Sequence, residues 1–103
     1  MPYQSVFAAN LFEGKTFIVT GGGSGIGRCT AHELASLGAT VAIWGRNADK
    51  LEAVRREIVE DGGRVSTHVC DIREESQVIA AVDDVLAQHH RIDGLLNLSL
   101  IHI

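Results

Sequence analysis

The stretch KTFIVTGGGSGIGR, residues 15–28, joins a short strand-like run to a glycine-rich turn. Its first six residues combine aromatic, aliphatic and β-branched side chains, which predicts a strand buried on both faces. Five of the nine residues 20–28 are glycine, and glycine permits positive φ and close approach of a ligand to the backbone. A helix that begins here would direct unpaired N–H groups and its positive dipole end to the same place. The stretch therefore predicts a phosphate-binding turn, with a glycine turn that holds no ligand as the alternative.

Strand-like and helix-like segments alternate along the rest of the chain. Further strands are predicted at 40–44, 64–70 and from 92 onward, and helices at 25–38, 47–63 and 71–90. Strands that alternate with helices of these lengths need crossover connections, which make the sheet parallel. The pattern predicts an α/β fold, a Rossmann-like doubly wound parallel sheet truncated after about four strands, in one unit at 14–97 after a leader at 1–13.

Two helix starts carry a capping signal. Asn47 is expected to act as the N-cap of the second helix, because its side-chain oxygen can accept from a backbone N–H of the first turn. Asp71 and Glu74 have the spacing of a capping box for the third helix.

Composition narrows the class of protein. The 103 residues carry a net charge of −4 without a long block of like charges, so neither nucleic acid nor an anionic membrane is expected as a partner. No signal peptide or membrane-spanning run is present. Cys29 and Cys70 are expected to be reduced packing residues of a cytoplasmic protein. The five histidines have no metal-ligand spacing, so we expect no metal site and no catalytic histidine, and His89 with His90 is expected to close a helix with partial positive charge.

The type of phosphate site follows from elimination. A Walker pattern starting at Gly22 fails because Arg28 and Cys29 stand where lysine and a hydroxyl residue are needed, which excludes nucleotide-triphosphate hydrolysis. A G-x-G-x-x-G pattern starting at Gly21 fails because Ile26 occupies its last position. The pattern that fits is Thr20-Gly21-x-x-x-Gly25-x-Gly27.

This pattern resembles the cofactor loop of the short-chain dehydrogenase/reductase family. GATVAIWGRN, CDI and IDGLLN follow in the order found in that family, so the resemblance covers residues 12–97. It implies an NAD(P)-dependent oxidoreductase that reduces carbonyl or enoyl groups or oxidises alcohols, with a weaker similarity to the dienoyl- and enoyl-CoA reductases. It also implies a small-molecule substrate and a homo-oligomeric full-length protein. A dinucleotide-binding module without catalysis is the alternative.

The resemblance implies the residues of a cofactor site. The backbone of the glycine turn and the Ser24 hydroxyl would bind the diphosphate, and Asp71 and Ile72 would lie at the adenine ring, although Asp71 could instead be only a helix cap. The site residues are Thr20, Gly21, Ser24, Gly25, Ile26, Gly27, Arg46, Asp71, Ile72 and Asn97. Arg28 is expected to point to solvent.

The end of the second predicted strand favours NADP(H) over NAD(H). An acidic residue there would bind both ribose hydroxyls and repel a 2′-phosphate, but the chain has Gly45 followed by Arg46. A charge-assisted contact from Arg46 worth about 1.5–3 kcal/mol would favour NADP(H) by roughly ten- to more than a hundredfold. The alternative is a solvated arginine at a helix start.

The chain departs from the family pattern at residue 98. The family continues its fourth strand with N-N-A-G, and here only Asn97 matches before Leu98, Ser99 and Leu100. No catalytic residue is identified, because Tyr3 is the only tyrosine and has no lysine four residues on. The 103 residues alone are therefore expected to be inactive. The last six residues, LSLIHI, match what one reading frame of a transposon end used in sequencing libraries would encode; a natural variant strand is the alternative.

Overall fold

A computed structural model of the protein describes residues 11–21 and 25–97. Ser24, most of the predicted leader and the segment 98–103 lie outside the described residues. The described elements are β1 (Thr16–Thr20), α1 (Gly25–Ser36), β2 (Thr40–Gly45), α2 (Ala48–Glu60), β3 (Arg64–Val69), α3 (Glu75–His89) and β4 (Gly94–Asn97). Each predicted strand and helix is present, with ends shifted by a few residues.

The four strands form one parallel sheet in the order β3-β2-β1-β4. The α/β, Rossmann-like prediction is therefore confirmed. Thr20 is in register with Trp44 of β2 and with Asn97 of β4, so the carboxyl ends of the central strands meet at one edge. The strand order reverses at β1, because β2 and β3 lie on one side of it and β4 on the other. The crevice between the carboxyl ends of β1 and β4 is where this fold binds ligands.

Two apolar cores hold the helices against the sheet. Alternate residues of β2 enter opposite cores, with Val41 and Ile43 on one face and Ala42 and Trp44 on the other. The first core contains residues of α1 and α2, and the second contains residues of α3. A strand buried on both faces must be apolar at every position, which is why the TVAIW run could be recognised. Of the two cysteines predicted to be packing residues, Cys70 is buried in the second core, whereas Cys29 is exposed.

Of the two capping predictions, the one for α2 is confirmed and the one for α3 is wrong. Asn47 is the N-cap of α2, and its Oδ1 accepts from the Lys50 N–H at 3.1 Å, as predicted. The capping box is wrong, because Glu74 itself is the N-cap of α3 and makes no side-chain cap hydrogen bond. The Asp71 carboxylate instead accepts from the Arg73 N–H at 3.0 Å. Because the Asp71 side chain is bound to the backbone two residues further on, it cannot cap the helix in the predicted way, and α3 begins only at Glu75.

Asp93 connects the beginnings of β1 and β4. Its Oδ2 accepts from the Thr16 N–H at 2.8 Å, and its own N–H donates to the Thr16 carbonyl at 2.7 Å. Hydrogen bonds from Arg91, followed by the Thr16 N–H, lower the pKa of the Asp93 carboxyl. This double contact holds β4 in register beside β1 and so fixes one wall of the crevice. None of the three helices within the described residues has the length and apolar character needed to cross a membrane.

Candidate functional site

The turn after β1 begins with a glycine in a left-handed conformation. Gly21 has φ +71°, a value that strains residues with a side chain. Its N–H donates to the Trp44 carbonyl at 2.9 Å, which ties the start of the turn to the neighbouring strand. The backbone therefore turns sharply away from the sheet at Gly21, and α1 begins four residues later at Gly25.

The first turn of α1 faces open space. A Cβ added to Gly25 would meet none of the described neighbouring atoms within 4 Å, so packing within the protein does not require a glycine there. Ile26 is 67% exposed, whereas Gly27 is buried. The first N–H groups of any helix lack intrahelical partners, and they carry the positive end of its dipole. The arrangement therefore leaves room, N–H donors and positive potential for an anionic group.

The charge distribution of the helix starts favours the same conclusion. The first turn of α1 has no acidic residue, whereas those of α2 and α3 contain Asp49 and Glu75. An acidic side chain in the first turn stabilises a helix by interacting with its dipole. Its absence from α1 leaves that interaction for a bound anion such as a phosphate.

Thr20 and Asn97 are brought together at the crevice. The Thr20 hydroxyl donates to Asn97 Oδ1 at 2.9 Å, with the Leu96 carbonyl 3.3 Å away. Thr20 is almost fully buried, whereas Asn97 is exposed. The contact joins the carboxyl ends of β1 and β4 directly beside the glycine turn. Two predicted site residues that are far apart in the sequence are therefore neighbours.

Arg46 and Asp71 leave the sheet at adjacent strand ends. Gly45 is paired with Val69, and the Cys70 N–H donates to the Gly45 carbonyl at 2.8 Å. Arg46 therefore follows β2 directly, and Asp71 follows Cys70, two residues beyond the end of β3. Arg46 is exposed, and among the described residues its guanidinium makes no hydrogen bond or ion pair. It is available for a ligand.

The Asp71 carboxylate is bound by Arg73, a residue that the sequence did not single out. Arg73 Nε lies 3.0 Å from Asp71 Oδ1, and Arg73 Nη2 lies 2.9 Å from Oδ2. These hydrogen bonds, more than any other cause, lower the pKa of Asp71 to about 2. Ile72 is half-buried against the core beneath α3. Both residues predicted for the adenine ring thus have fixed positions at the end of β3.

Gly45 has a packing role beside the predicted electrostatic one. A Cβ at this position would lie 3.2 Å from Leu51 Cδ2, closer than an ordinary van der Waals contact. Leu51 is a fully buried residue of the core beneath α2. The glycine therefore lets the first turn of α2 approach the end of β2, and Arg46 begins the short connection between them.

Arg28 does not simply point to solvent, contrary to prediction. Although its side chain is 52% exposed, its Nε donates to Glu57 Oε1 of α2 at 2.8 Å and its Nη2 contacts Glu57 Oε2. His32 Nε2 lies 2.9 Å from the same carboxylate. The hydrogen bond with Arg28 is the main cause of the lowered pKa of Glu57 and the raised pKa of Arg28. Arg28 thus links α1 to α2.

A second polar cluster lies between β3 and α3. Ser66 Oγ is 2.8 Å from His68 Nε2 and 2.8 Å from His89 Nε2, and His68 Nδ1 is 2.7 Å from Asp84 Oδ2. Serine, histidine and aspartate in hydrogen-bonded sequence are the groups of a hydrolytic triad. Ser66 and His68, however, are buried within the sheet at 8% and 5% exposure, so this serine has no access to a substrate. Within the described residues no group of histidine, cysteine or acidic side chains is arranged to bind a metal.

The groups of the cluster form a continuous chain of hydrogen bonds. His68 Nδ1–H can donate to Asp84, the Ser66 hydroxyl to His68 Nε2, and His89 Nε2–H to Ser66. Burial, and secondarily the neighbouring His68, lowers the pKa of His89. This shift opposes the partial positive charge expected of His89 at the end of α3, because burial disfavours the charged imidazole.

This cluster predicts an acid-sensitive stability. The pKa of His89 in the folded protein is below its ordinary value of 6.5, so the unfolded chain binds a proton first. The contribution to stability is complete above 6.5 and decreases as the pH falls through that value. Thermal unfolding measured between pH about 8 and about 5.5, above the range in which carboxylates titrate, should show a falling Tm. His89→Gln should flatten this dependence and His90→Asn should not; equal slopes in the two variants would contradict the assignment.

The parallel sheet, with a glycine turn at its switch point, defines a Rossmann-like α/β protein. Residues 15–99 match the model of the short chain dehydrogenase family, and the chain therefore belongs to that family. It is 61% identical to the citronellol catabolism dehydrogenase (AtuB) of Pseudomonas aeruginosa PAO1, with a TM-score of 0.87, over 90% of this chain and 39% of that one.

Other relatives show the same partial coverage. The chain is 45% identical over 84 residues to the 2,5-dichloro-2,5-cyclohexadiene-1,4-diol dehydrogenase of Sphingobium indicum, covering 82% of this chain and 32% of that protein. It is 43% identical to a metagenomic short-chain oxidoreductase in complex with NADP, with a TM-score of 0.77, covering 81% and 38% of the two chains. The chain thus spans about a third of the length of the curated relatives it matches.

Proposed function

We propose that this chain supplies the NADP(H)-binding half of a short-chain oxidoreductase. The observation that carries the proposal is the start of α1, where the backbone turns at Gly21 and a Cβ at Gly25 would enter open space. A helix N-terminus with room at its first residue and no acidic side chain is suited to a diphosphate. A ligand at this place would account for the glycine at position 25, which packing among the described residues does not require.

The remaining site residues correspond to the parts of an extended dinucleotide. In this proposal Arg46 binds the 2′-phosphate on the adenosine ribose, and Asp71 and Ile72 contact the adenine ring. On the other side of the turn, Thr20 and Asn97 form the wall of the crevice toward the nicotinamide, and the exposed Ile26 offers an apolar surface beside it. When bound, the cofactor supplies the hydride, and these residues bind and orient it.

The chemical step needs groups that these residues do not offer. Reduction of a carbonyl or enoyl group, or oxidation of an alcohol, requires a positioned acid or base and a substrate pocket. We assign the chain to cofactor binding and expect no turnover by the 103 residues alone. A complete protein of this kind would act on a small molecule as a cytoplasmic homo-oligomer.

The preference for NADP(H) is tested by titration of the intrinsic fluorescence. Trp44 is the only tryptophan and lies two residues before Arg46, so its emission should report on both dinucleotides. We expect NADPH to bind roughly ten- to more than a hundredfold more tightly than NADH. Arg46→Gln should bring the two affinities close together by weakening NADPH binding alone.

Arg56→Gln is the matched control for the loss of charge. Arg56 lies on α2, the helix that follows Arg46, and its side chain is 72% exposed. Among the described residues its one ion pair is a 3.5 Å contact with Glu52. Its replacement should change neither affinity. Equal binding of NADPH and NADH by the unaltered protein would remove Arg46 from the site, and absence of binding by both would overturn the proposed function.

A further inference from the structure

Three charged groups meet at the end of the sheet where β2 and β3 terminate. Asp71 is the acidic member of the three: it follows Cys70 beyond the end of β3, the strand next to the one that Arg46 follows, and its carboxylate is bound by Arg73. The Asp71 side chain is only 20% exposed, whereas that of Arg73 is 71% exposed. The backbone N–H of Arg73 adds a third hydrogen bond, to Asp71 Oδ1 at 3.0 Å. The pairing is local and therefore formed before any ligand arrives.

Without its hydrogen bonds to Arg73, the Asp71 carboxylate would compete with the 2′-phosphate for Arg46. A guanidinium and a carboxylate form two parallel charge-assisted hydrogen bonds, the strongest polar pairing that two side chains make. The electrostatic effect of Arg46 already reaches the Asp71 carboxyl, whose pKa it helps to lower. A free Asp71 carboxylate would therefore draw Arg46 toward itself and would also repel a 2′-phosphate.

We propose that Arg73 is a positioning residue for NADP(H) specificity: by occupying both oxygens of Asp71, it leaves Arg46 available for the 2′-phosphate. The inference rests on the proposed function and adds a residue to it. Arg73 acts through Asp71 and Arg46, and its effect is confined to the 2′-phosphate of the cofactor. The adenine, the diphosphate and the nicotinamide are common to NADPH and NADH and are not affected.

A purely structural role for Arg73 makes a different prediction. If Arg73 only held the loop between β3 and α3, its removal would disturb the adenine end of the site and weaken NADPH and NADH equally. Removing the charge of Asp71 would then restore nothing. The ratio of the two affinities, and its recovery in a double variant, therefore separate the two roles.

The experiment compares NADPH and NADH titrations of four variants of the chain. Arg73→Gln should lower the NADPH-to-NADH affinity ratio roughly tenfold, because the unpaired Asp71 carboxylate captures Arg46. Asp71→Asn alone should preserve the ratio, and Arg73→Gln with Asp71→Asn should restore it, because no carboxylate remains to compete. Arg46→Gln, measured in parallel, reports on the proposed function itself.

The outcomes are distinguishable. An unchanged ratio in Arg73→Gln, together with a collapsed ratio in Arg46→Gln, would overturn the role of Arg73 and leave the NADP(H) site intact. A reduced ratio that Asp71→Asn fails to restore would also overturn it. An unchanged ratio in Arg46→Gln would instead contradict the NADP(H) assignment, and the inference about Arg73 with it.

Discussion

Replacement of Gly25 by alanine is expected to weaken binding of NADPH and NADH by at least about tenfold without destabilising the fold. A Cβ at Gly25 would meet no described protein atom within 4 Å, so the folded chain has room for it. Gly25 is the first residue of α1 and not an interior one, so the Tm is expected to stay close to that of the unaltered chain. The same Cβ would occupy the space in which a diphosphate approaches the N–H groups of α1. Fluorescence titration and thermal unfolding of one preparation measure both effects.

Gly63→Ala is the matched control for this prediction. A Cβ at Gly63 would lie 2.6 Å from Ile58 Cγ2 and 3.2 Å from the Ile58 carbonyl oxygen, and overpacking of this kind costs about 1–3 kcal/mol. Gly63 precedes β3, at the edge of the sheet opposite the site. Its replacement should lower Tm and leave both affinities unchanged when measured well below the unfolding transition. If Gly25→Ala bound dinucleotide as tightly as the unaltered chain, the start of α1 would not be the diphosphate site.

The fold was predictable because its signals are local. The run from Thr40 to Trp44 is apolar at nearly every position, as a strand buried on both faces must be, and the strands recur at the spacing of crossover helices. The parallel order then follows from the handedness and length of those connections. The start of α3 was missed because Asp71 has two local uses with similar sequence signals. In the structure the Asp71 side chain accepts from the Arg73 N–H, and the capping box is not formed.

In the candidate site, too, some contacts could be predicted from the sequence and others could not. Motif spacing was sufficient to bring Thr20 and Asn97 together, since they are the last residues of two strands that end at one edge of the sheet. The i,i+4 ion pair of Glu52 with Arg56 could be predicted from helical spacing. Ion pairs outside such regular spacing could not, because they depend on side-chain rotamers and, between helices, on the distance between elements. Arg28 could reach either solvent or Glu57, and only the packing of α1 against α2 selects Glu57. The pairing of Arg73 with Asp71 lies within one loop, and there the side-chain rotamers alone decide it.

The polar cluster beneath α3 shows a further limit of the sequence. Ser66 and His68 alternate on one strand, which indicates a shared face but not which face. His89 lies 23 residues from Ser66, and its contact depends on the axial position of α3 against β3. The sequence placed His89 at a helix end, where charge is favoured, and the desolvation that lowers its pKa became apparent only from the packing.

Gly45→Asp is expected to reverse the cofactor preference. An acidic side chain at the end of β2 would accept hydrogen bonds from both adenosine ribose hydroxyls of NADH. It would also stand beside the 2′-phosphate of NADPH, and like charges about 4 Å apart near a protein surface repel by about 4 kcal/mol. We expect NADPH affinity to fall by at least about a hundredfold and NADH affinity to rise, as measured by Trp44 fluorescence.

Two further substitutions at Gly45 separate charge from packing. Every side chain at this position brings a Cβ to 3.2 Å from Leu51 Cδ2, so Gly45→Ala measures the packing cost that all three variants share. Gly45→Asn has nearly the shape of aspartate without its charge. If repulsion by the carboxylate causes the switch, asparagine should resemble alanine in its NADPH affinity, and only aspartate should discriminate against the 2′-phosphate. Equal loss of NADPH binding in all three variants would assign Gly45 to the packing of α2 alone, and the preference for NADP(H) would then depend on Arg46 without help from its neighbour.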